Sequence, residues 1–421
     1  MLVAVSLFAG AACGEDIRSF NADESKVPPY SLPELMVKLD GTEVRDVTTW
    51  QERRKEIIRL FEDNVYGRSP GAPANMKIVA GKVYKEFLNN KATLKEVQIV
   101  VSDSPHAPQI HVLIIVPNAR VKPVPAFAAL NFNGNHSIHP DPAISLSTAW
   151  MRPNAEGQVN NRATEASRGK YESRWPIELI ISRGYALITA YYGDLDPDFD
   201  DGFKNGVQPF FYKEGQTRPA PDEWAALAAW SWGLMRIMDY VQSDADIDAR
   251  RVAAVGHSRL GKAALWASAM DERIAIAISN NSGKGGASLW RRQYGESILR
   301  ANTLEPHRFC ANFTRFSKAP ETLPVDAHML LAMIAPRPVY VASATEDHLA
   351  DPKGEFLAAK AAEPVYALYN LAGLNADAIP QPDTPIGSHI GYHLRTGKHA
   401  LTEYDWKQFL NFADRHFSTK R

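Results

Sequence analysis

The chain has 421 residues, of which 45% are hydrophobic and 23% are charged, and its formal net charge is −1. A chain this long and this apolar can bury a large core, which excludes a fibrous or disordered protein. The near-neutral charge offers no basic surface for nucleic acid, and no apolar run beyond the N-terminus is long enough to span a bilayer. We therefore expect that the protein does not bind nucleic acid and does not span a membrane.

The first 15 residues resemble a secretory signal. The apolar stretch Met1–Phe8 precedes small residues and Cys13, as in an h-region with its cleavage site, although the basic n-region is missing. We expect a secreted or periplasmic protein, with Cys13 as a candidate for lipid attachment. Only Cys310 then remains in the mature chain, which excludes an intramolecular disulfide.

The elements that follow predict an α/β fold. Apolar spacing over Trp50–Val65 predicts an amphipathic helix that ends near Gly67. Three β-rich runs then predict the first strands of a sheet: Lys77–Phe87, Thr93–Val101 and Ile110–Val116. Further apolar runs alternate with helical patterns: Ala126–Phe132, Ala186–Ala190, Val252–Val255, Ile274–Ile278 and Val339–Ala342. Such alternation indicates a mainly parallel, doubly wound sheet flanked by helices in three layers, with ligands beyond the carboxyl ends of the strands.

We expect one catalytic domain over residues 16–421. The segment from about 136 to 175 lies between two predicted strands and is longer than most loops. Long ordered insertions beside a site shape substrate access, so we predict that this one walls one side of the cleft. The helical pattern over Asp222–Val241 carries Trp224, Trp230 and Trp232 among alanines, and burial against the sheet is the favoured interpretation.

Ser258 is the candidate nucleophile. It follows the apolar run Val252–Val255 and precedes a helical pattern, as in a sharp strand-to-helix turn that exposes a serine at a helix N-terminus. Gly256 meets the need for a small residue two positions earlier. The second glycine of the G-x-S-x-G pattern is displaced, because position 260 is leucine and Gly261 comes next.

A serine nucleophile needs a base, and the base needs an acid that fixes its tautomer. In the α/β-hydrolase fold the chain order is serine, acid, histidine. Asp347 follows the last predicted strand and is our choice of acid, with Glu346 second. Asp351 stands beside a proline and is interpreted as a turn residue.

His399 is the candidate base. It lies in a glycine-containing loop just before the plausible last helix, Leu401–Phe417, where the hydrolase fold places its histidine. His389 and His393, interpreted as members of the same loop, are rivals.

In these segments and several others, the chain resembles the glucuronoyl esterases of carbohydrate esterase family 15, especially the bacterial branch. The resemblance covers most of the chain from about residue 131 onward, and the family's elbow explains the displaced glycine. The matching segments begin at Asn131, Gly256, Ser279, Arg291, Ile334 and Gly391, and the last ends at His399.

The resemblance implies hydrolysis of the ester between (4-O-methyl-)glucuronic acid of glucuronoxylan and a lignin alcohol, by way of an acyl-enzyme. Ser258 would attack the carbonyl and His399 would transfer the proton. Arg259 would donate to the oxyanion, since a guanidinium stays cationic and offers several donors. Lys262 and Glu296 match the family's sugar-binding positions; a surface ion pair is the alternative interpretation of these two.

The chain departs from the family at three positions. Many members carry a glutamate at the position of Asn281 as the triad acid, so that role should pass to Asp347. Leu349 replaces the usual tryptophan and removes an aromatic face for the uronate ring. Lys284 occupies a position often taken by cysteine, which leaves Cys310 without a partner.

Two other functions stay open at this point. An acetyl xylan esterase would need the same triad but no cation to hold a uronate, and a non-catalytic carbohydrate-binding relative is compatible with Asn281 and Leu349. We expect no cofactor, no metal site and a monomer.

Overall fold

The computed structural model of the chain describes residues 17–119, 123–153 and 155–418. The predicted secretory segment, including Cys13, lies outside these residues. Across the described ranges, no helix combines the length and the apolar character that a membrane crossing requires.

The strands form a mixed sheet whose spatial order is β1-β2-β3-β5-β4-β6-β7-β8-β10-β9. The strands from β5 to β10 in this order are parallel, whereas β1, β2, β3 and β9 pair antiparallel at the two edges. The bounds are β1 (Lys77–Glu86), β2 (Ala92–Val100), β3 (Gln109–Pro117), β4 (Val124–Asn131), β5 (Ala186–Tyr191), β6 (Ile247–His257), β7 (Ile276–Asn280), β8 (Val339–Ala344), β9 (Ile386–Gly387) and β10 (Ile390–Arg395).

Helices cover both faces of this sheet. They are α1 (Val47–Phe61), α2 (Phe87–Asn90), α3 (Ile177–Ser182), α4 (Ala226–Val241), α5 (Arg259–Met270), α6 (Ile298–Leu304), α7 (Ala327–Ala332), α8 (Pro352–Ala361), α9 (Glu363–Leu368) and α10 (Glu403–Phe417). α2 is a single turn between β1 and β2. The predicted helix over Trp50–Val65 is α1 together with a π-helical turn at Glu62–Tyr66.

Two hydrophobic cores lie on opposite faces of the sheet. Val252 and Ala254 of β6 belong to the larger core, and Ala253 and Val255 to the smaller one, since successive side chains of a strand point to opposite faces. Strands buried on both faces have nearly continuous apolar sequences, which is why the central strands were predictable. The tryptophans of α4 are buried in the larger core, as predicted.

The prediction that His389 and His393 share one loop is wrong for His393. His393 lies on β10, which pairs in parallel with β8, and its side chain is fully buried, with Nε2 2.9 Å from the carboxylate of Asp405. The sequence did not lead us to predict the strand Ile390–Arg395. A Cβ at Gly391 would lie 2.3 Å from the ring of Tyr340, so the glycine makes room for an aromatic side chain of the core.

Candidate active site

The turn between β6 and α5 holds Ser258 in a strained conformation. Its φ and ψ angles are 57° and −131°, a region that costs a non-glycine residue energy and recurs at functional sites. The backbone N–H of Ser258 donates to the carbonyl of Asn280 at 2.8 Å, so β7 holds the turn. Ser258 is thereby placed at the carboxyl edge of the parallel strands, at the N-terminus of α5.

Close backbone packing explains both glycines of this turn. A Cβ at Gly256 would lie 1.9 Å from the carbonyl oxygen of Leu260, and one at Gly261 would lie 3.0 Å from Cβ of Ser282. The side chain of Leu260 itself is buried in the larger core. The second glycine is needed at position 261, because β7 and the loop after it pack closely against α5 there. Position 260 instead supplies a hydrophobic side chain to the core.

His399 and Asp347 meet although they are 52 positions apart in the chain. The Nδ1 atom of His399 lies 2.6 Å from Oδ2 of Asp347, which follows β8. The carboxylate is buried, and 42% of the histidine side chain is exposed. Burial opposes ionisation of Asp347, but the hydrogen bonds from His399 and Asn281 outweigh it and lower the pKa of this carboxyl group below its usual value.

Arg395 organises the loop that carries His399. Its guanidinium donates to the carbonyl of Lys398 at 2.7 Å and of Ala400 at 3.2 Å, on either side of the histidine. It also pairs with the buried carboxylate of Asp405 at 3.2 Å. Sequence reasoning did not assign Arg395 a role, because its acceptors are backbone carbonyls that no residue pattern reveals.

The imidazole of His399 packs against the residue that precedes Ser258, the candidate nucleophile. Its ring is 4.6 Å from the ring of His257, the residue that precedes Ser258, measured between centroids. The described residues show no hydrogen bond between the hydroxyl of Ser258 and His399. Burial, and then the neighbouring His399, lower the pKa of His257 to about 3, so His257 is neutral and adds no positive charge beside His399.

Asn281 binds the carboxylate of Asp347, and Glu355 is a second buried carboxyl group that is electrostatically coupled to it. Nδ2 of Asn281 donates to Oδ2 of Asp347 at 2.9 Å, and Asn281 has a φ of 47°, a region that asparagine tolerates better than most residues. Glu355 accepts from the backbone N–H of Gly283 at 2.8 Å and lies 2.5 Å from the hydroxyl of Ser343. Burial raises the pKa of Glu355 to about 8. Asp347 is therefore the charged member of this pair of carboxyl groups at neutral pH.

Arg259 follows Ser258 directly and is held by two neighbours. NH1 lies 3.0 Å from Oδ2 of Asp198, and the guanidinium carbon lies 5.3 Å from the centroid of the Phe132 ring. Its Nε atom is buried and has no hydrogen-bond partner among the described residues. Buried donors are nearly always paired, so this one is available to a ligand.

Lys262 and Glu296 form a buried pair rather than a surface one. Nζ of Lys262 lies 3.5 Å from Oε2 of Glu296, with 10% and 11% of the side chains exposed. Arg300 also contacts Glu296, at 3.1 Å, and the Lys262 amine donates to the carbonyl of Lys284. Burial, opposed by Glu296, lowers the pKa of Lys262 below its usual value.

The positions that depart from the family are structurally accounted for. Lys284 is fully buried and lies 3.3 Å from the equally buried carboxylate of Asp351, which caps α8. Cys310 is a buried free thiol whose pKa burial raises to about 11. Leu349 is half-buried, and its carbonyl accepts from the backbone N–H of Glu296 at 3.0 Å. In the described ranges no cluster of three or more His, Cys, Asp or Glu side chains is arranged to hold a metal ion.

The long segment between β4 and α3 reaches the same region. Trp150 packs against Phe199, with ring centroids 4.6 Å apart, and its carbonyl accepts from the hydroxyl of Tyr191 at 3.0 Å. Arg152 pairs with Asp198 at 3.0 Å, on the oxygen that also binds Arg259. The segment therefore contacts the charged cluster around Arg259.

Comparison with known proteins identifies the family. Residues 178–370 match the family model described as glucuronyl esterase, fungi. A curated carbohydrate esterase from an unknown prokaryotic organism is 46% identical over 404 residues, which are 95% of this chain and 93% of that protein. The solved structure of a promiscuous CE15 esterase from a marine bacterial metagenome is 46% identical, with a TM-score of 0.89 over 94% of this chain and 100% of that one. This chain belongs to carbohydrate esterase family 15.

A second solved member of carbohydrate esterase family 15 agrees in fold. The glucuronoyl esterase from Solibacter usitatus is 45% identical and superimposes with a TM-score of 0.90 over 93% of this chain and 100% of that one. The α/β-hydrolase fold and the family resemblance, both predicted from the sequence, are therefore confirmed.

Proposed function

We propose that this member of carbohydrate esterase family 15 is a serine esterase that hydrolyses the ester between the carboxyl group of (4-O-methyl-)glucuronic acid in glucuronoxylan and an alcohol of lignin. The 2.6 Å contact between His399 and Asp347, beside the strained Ser258, is the observation that carries the chemistry. The substrate class is supported by relatives of 45–46% identity, one of them named a glucuronoyl esterase.

Acylation begins at Ser258. Asp347 accepts a hydrogen bond from the Nδ1–H of His399, which leaves Nε2 free to take the proton of the serine hydroxyl as Ser258 attacks the uronate carbonyl. The imidazolium that forms lies against the buried, ionised Asp347 and is stabilised by it. The hydrogen bond from Asn281 restricts how the carboxylate can turn.

The tetrahedral intermediate carries a negative oxygen that needs donors already in place. Arg259 supplies its guanidinium, whose Nε has no partner among the described residues, and its backbone N–H at the first position of α5. The N-terminal end of the α5 dipole adds a favourable potential there.

The intermediate collapses when the C–O bond to the alcohol breaks. His399 gives its proton from Nε2 to the departing alcohol oxygen, and the uronoyl group stays on Ser258 as an ester. Water then attacks this ester while His399 takes the water proton. A second collapse releases glucuronate and returns the proton to Ser258.

Lys262 and Glu296 are suited to hold the sugar. Lys262 lies one helical turn beyond Ser258 on α5, since residues four apart share a face. A buried ammonium and carboxylate present a donor and an acceptor of fixed orientation to neighbouring sugar hydroxyls. Their burial supports sugar contact over the surface ion pair considered from the sequence.

Turnover of a benzyl ester of glucuronic acid, compared with release of acetate from acetylated xylan, tests the proposal. We expect the glucuronate ester to be the better substrate by kcat/KM, because only a uronate places its carbonyl and its ring hydroxyls against Arg259 and Lys262 together. Preference for acetylated xylan, or no hydrolysis of either substrate, would reject it. Export, and lipid attachment at Cys13, remain predictions from residues 1–15.

A further inference from the structure

A buried carboxylate lies next to Arg259. Asp198 is in the loop after β5, its side chain has no exposed surface, and its two oxygens are surrounded by donors. Oδ2 accepts from NH1 of Arg152 at 3.0 Å, from the hydroxyl of Tyr192 at 3.1 Å and from NH2 of Arg308 at 3.3 Å. The same oxygen forms an ion pair with NH1 of Arg259 at 3.0 Å. Oδ1 lies 2.9 Å from Nε of Arg308 and 2.9 Å from Nε2 of His307.

The contacts of Arg259 hold its guanidinium without using its Nε–H donor. Asp198 takes NH1, Phe132 covers the face of the guanidinium, and the buried Nε has no partner in the described part of the chain. Asp198 and Phe132 together restrict the orientation of the group, and Nε–H is a donor left for a ligand. Removing Asp198 would free the guanidinium to rotate.

Asp198 shares its negative charge among several cations, and this limits how much of the positive charge of Arg259 it cancels. A carboxylate with a single arginine partner would cancel most of that arginine's charge. Asp198 instead divides one negative charge among three guanidinium groups, of which Arg308 has a further partner in Glu305. Arg259 is therefore held in place while the cluster keeps an excess of positive charge for an oxyanion.

The contacts between Asp198 and the arginines also affect the pKa values of Arg259 and Asp198. Burial, and then the charge of Arg308, lower the pKa of Arg259, while Asp198 opposes them. Burial opposes ionisation of Asp198 itself, but His307 and the arginines outweigh it and hold its pKa well below the usual value. The carboxylate is thus charged at neutral pH.

We propose that Asp198 is a positioning residue of the oxyanion site, which holds the guanidinium of Arg259 in the orientation that meets the tetrahedral intermediate. The inference rests on the proposed ester hydrolysis and adds a residue that acts through Arg259 instead of touching the substrate. A cluster that only stabilised the fold would change the melting temperature and leave the rate per folded molecule unaltered.

A double-mutant cycle separates these two roles. The full-length protein is assayed with a fluorogenic ester of glucuronic acid, so that slow variants remain measurable. We expect Asp198→Asn to lower kcat by about tenfold to a hundredfold, since small misplacements of a catalytic group cost this much, with KM changed by less than about threefold. Arg259→Ala should lower kcat by about 10²–10³-fold. The double variant should be no slower than Arg259→Ala alone.

Asp194→Asn is the matched control. Asp194 is another buried aspartate of the same loop, but it binds the backbone N–H and the ring of His111 on β3, away from Arg259. Its kcat and KM should stay within about twofold of wild type. Thermal melting accompanies every variant, and if Asp198→Asn does not fold, Asp198→Glu replaces it, because it keeps the charge and moves it by one methylene group.

The outcomes distinguish the two proposals. A wild type that fails to hydrolyse the glucuronate ester overturns both the proposed function and the role of Asp198. An active wild type in which Asp198→Asn leaves kcat unchanged, or in which the losses from Asp198→Asn and Arg259→Ala multiply, overturns the positioning role alone. A loss that disappears in the Arg259→Ala background supports it.

Discussion

His399 and Asp347 are joined through a single oxygen atom that Asn281 also binds. Oδ2 of Asp347 lies 2.6 Å from Nδ1 of His399 and 2.9 Å from Nδ2 of Asn281. Asparagine stands where many family members are expected to carry a glutamate, and here it donates to the acid instead of being the acid. The carboxylate after β8 is thus the one acid in contact with the proposed base in the described part of the chain.

Asp347→Asn should lower kcat/KM for a glucuronate ester by about 10³–10⁴-fold. An amide cannot stabilise the imidazolium and can favour the wrong tautomer of the histidine, an effect of this size in other serine hydrolases. Glu346→Gln is the control, because Glu346 is the exposed neighbour and the rival acid. Steady-state kinetics should show Glu346→Gln at wild-type rates; the reverse order of the two variants would assign the acid to Glu346.

Asn281→Asp should move the acid limb of the pH–rate profile to higher pH by about one unit. A second carboxylate beside Asp347 adds negative charge near the imidazole and favours its protonated form, which cannot accept the serine proton. Aspartate tolerates the left-handed φ of this position, as asparagine does. Asn281→Gly removes the same hydrogen bond without adding charge, and it should slow the enzyme while leaving the acid limb where it is. Equal shifts in both variants would contradict an electrostatic cause.

Lys262→Met should raise KM for glucuronate esters by about tenfold or more. It should leave the rate of hydrolysis of a simple acetate ester within about threefold of wild type. The reason is that the lost charge-assisted hydrogen bond goes to the sugar, so only a substrate with a sugar is affected. Lys95→Met is the control. Lys95 is a lysine of similar exposure that pairs with Asp244, far from the nucleophile along the sheet. Parallel losses on both substrates would show that Lys262 supports the structure of the site and not the sugar.

Glu355→Gln should flatten the decline of stability with pH. The pKa of Glu355 is raised to about 8 by burial, so its stabilising proton is fully bound below pH 4.5, the ordinary value, and is lost as pH rises through 8. Between pH 4.5 and about pH 8, this group lowers the free energy of unfolding by at most about 1.4 kcal/mol for each unit of rising pH. Melting temperatures at pH 5 and pH 9 measure the effect. The difference should shrink in Glu355→Gln and stay unchanged in Glu346→Gln.

Much of the fold was predictable because its signals are local. The central strands are buried on both faces and show as apolar runs, and the turn at Ser258 is marked by glycine at both ends. β10 was not predicted, and the need for glycine at Gly391, which makes room for Tyr340, becomes visible only when β10 is paired with β8.

The surroundings of the proposed site were less predictable, because they depend on contacts between segments that are far apart in the sequence. Asp198 lies in an acidic stretch that resembles a solvated loop, and its arginines come from the insertion, from α5 and from the segment after α6. The burial of Lys262 with Glu296 likewise depends on how the loop after β7 folds over α5. The sequence can name such residues but not their distances.

The most direct test of the central claim is to trap the uronoyl group on the enzyme. In His399→Ala, an aryl ester of glucuronic acid has a leaving group that needs little protonation, so acylation outpaces hydrolysis, which still needs the base. Mass spectrometry of the acid-quenched protein should show one added uronoyl group, located on the peptide that contains Ser258 and absent from His399→Ala/Ser258→Ala. A uronoyl group on another residue, or unchanged turnover in Ser258→Ala alone, would contradict the account.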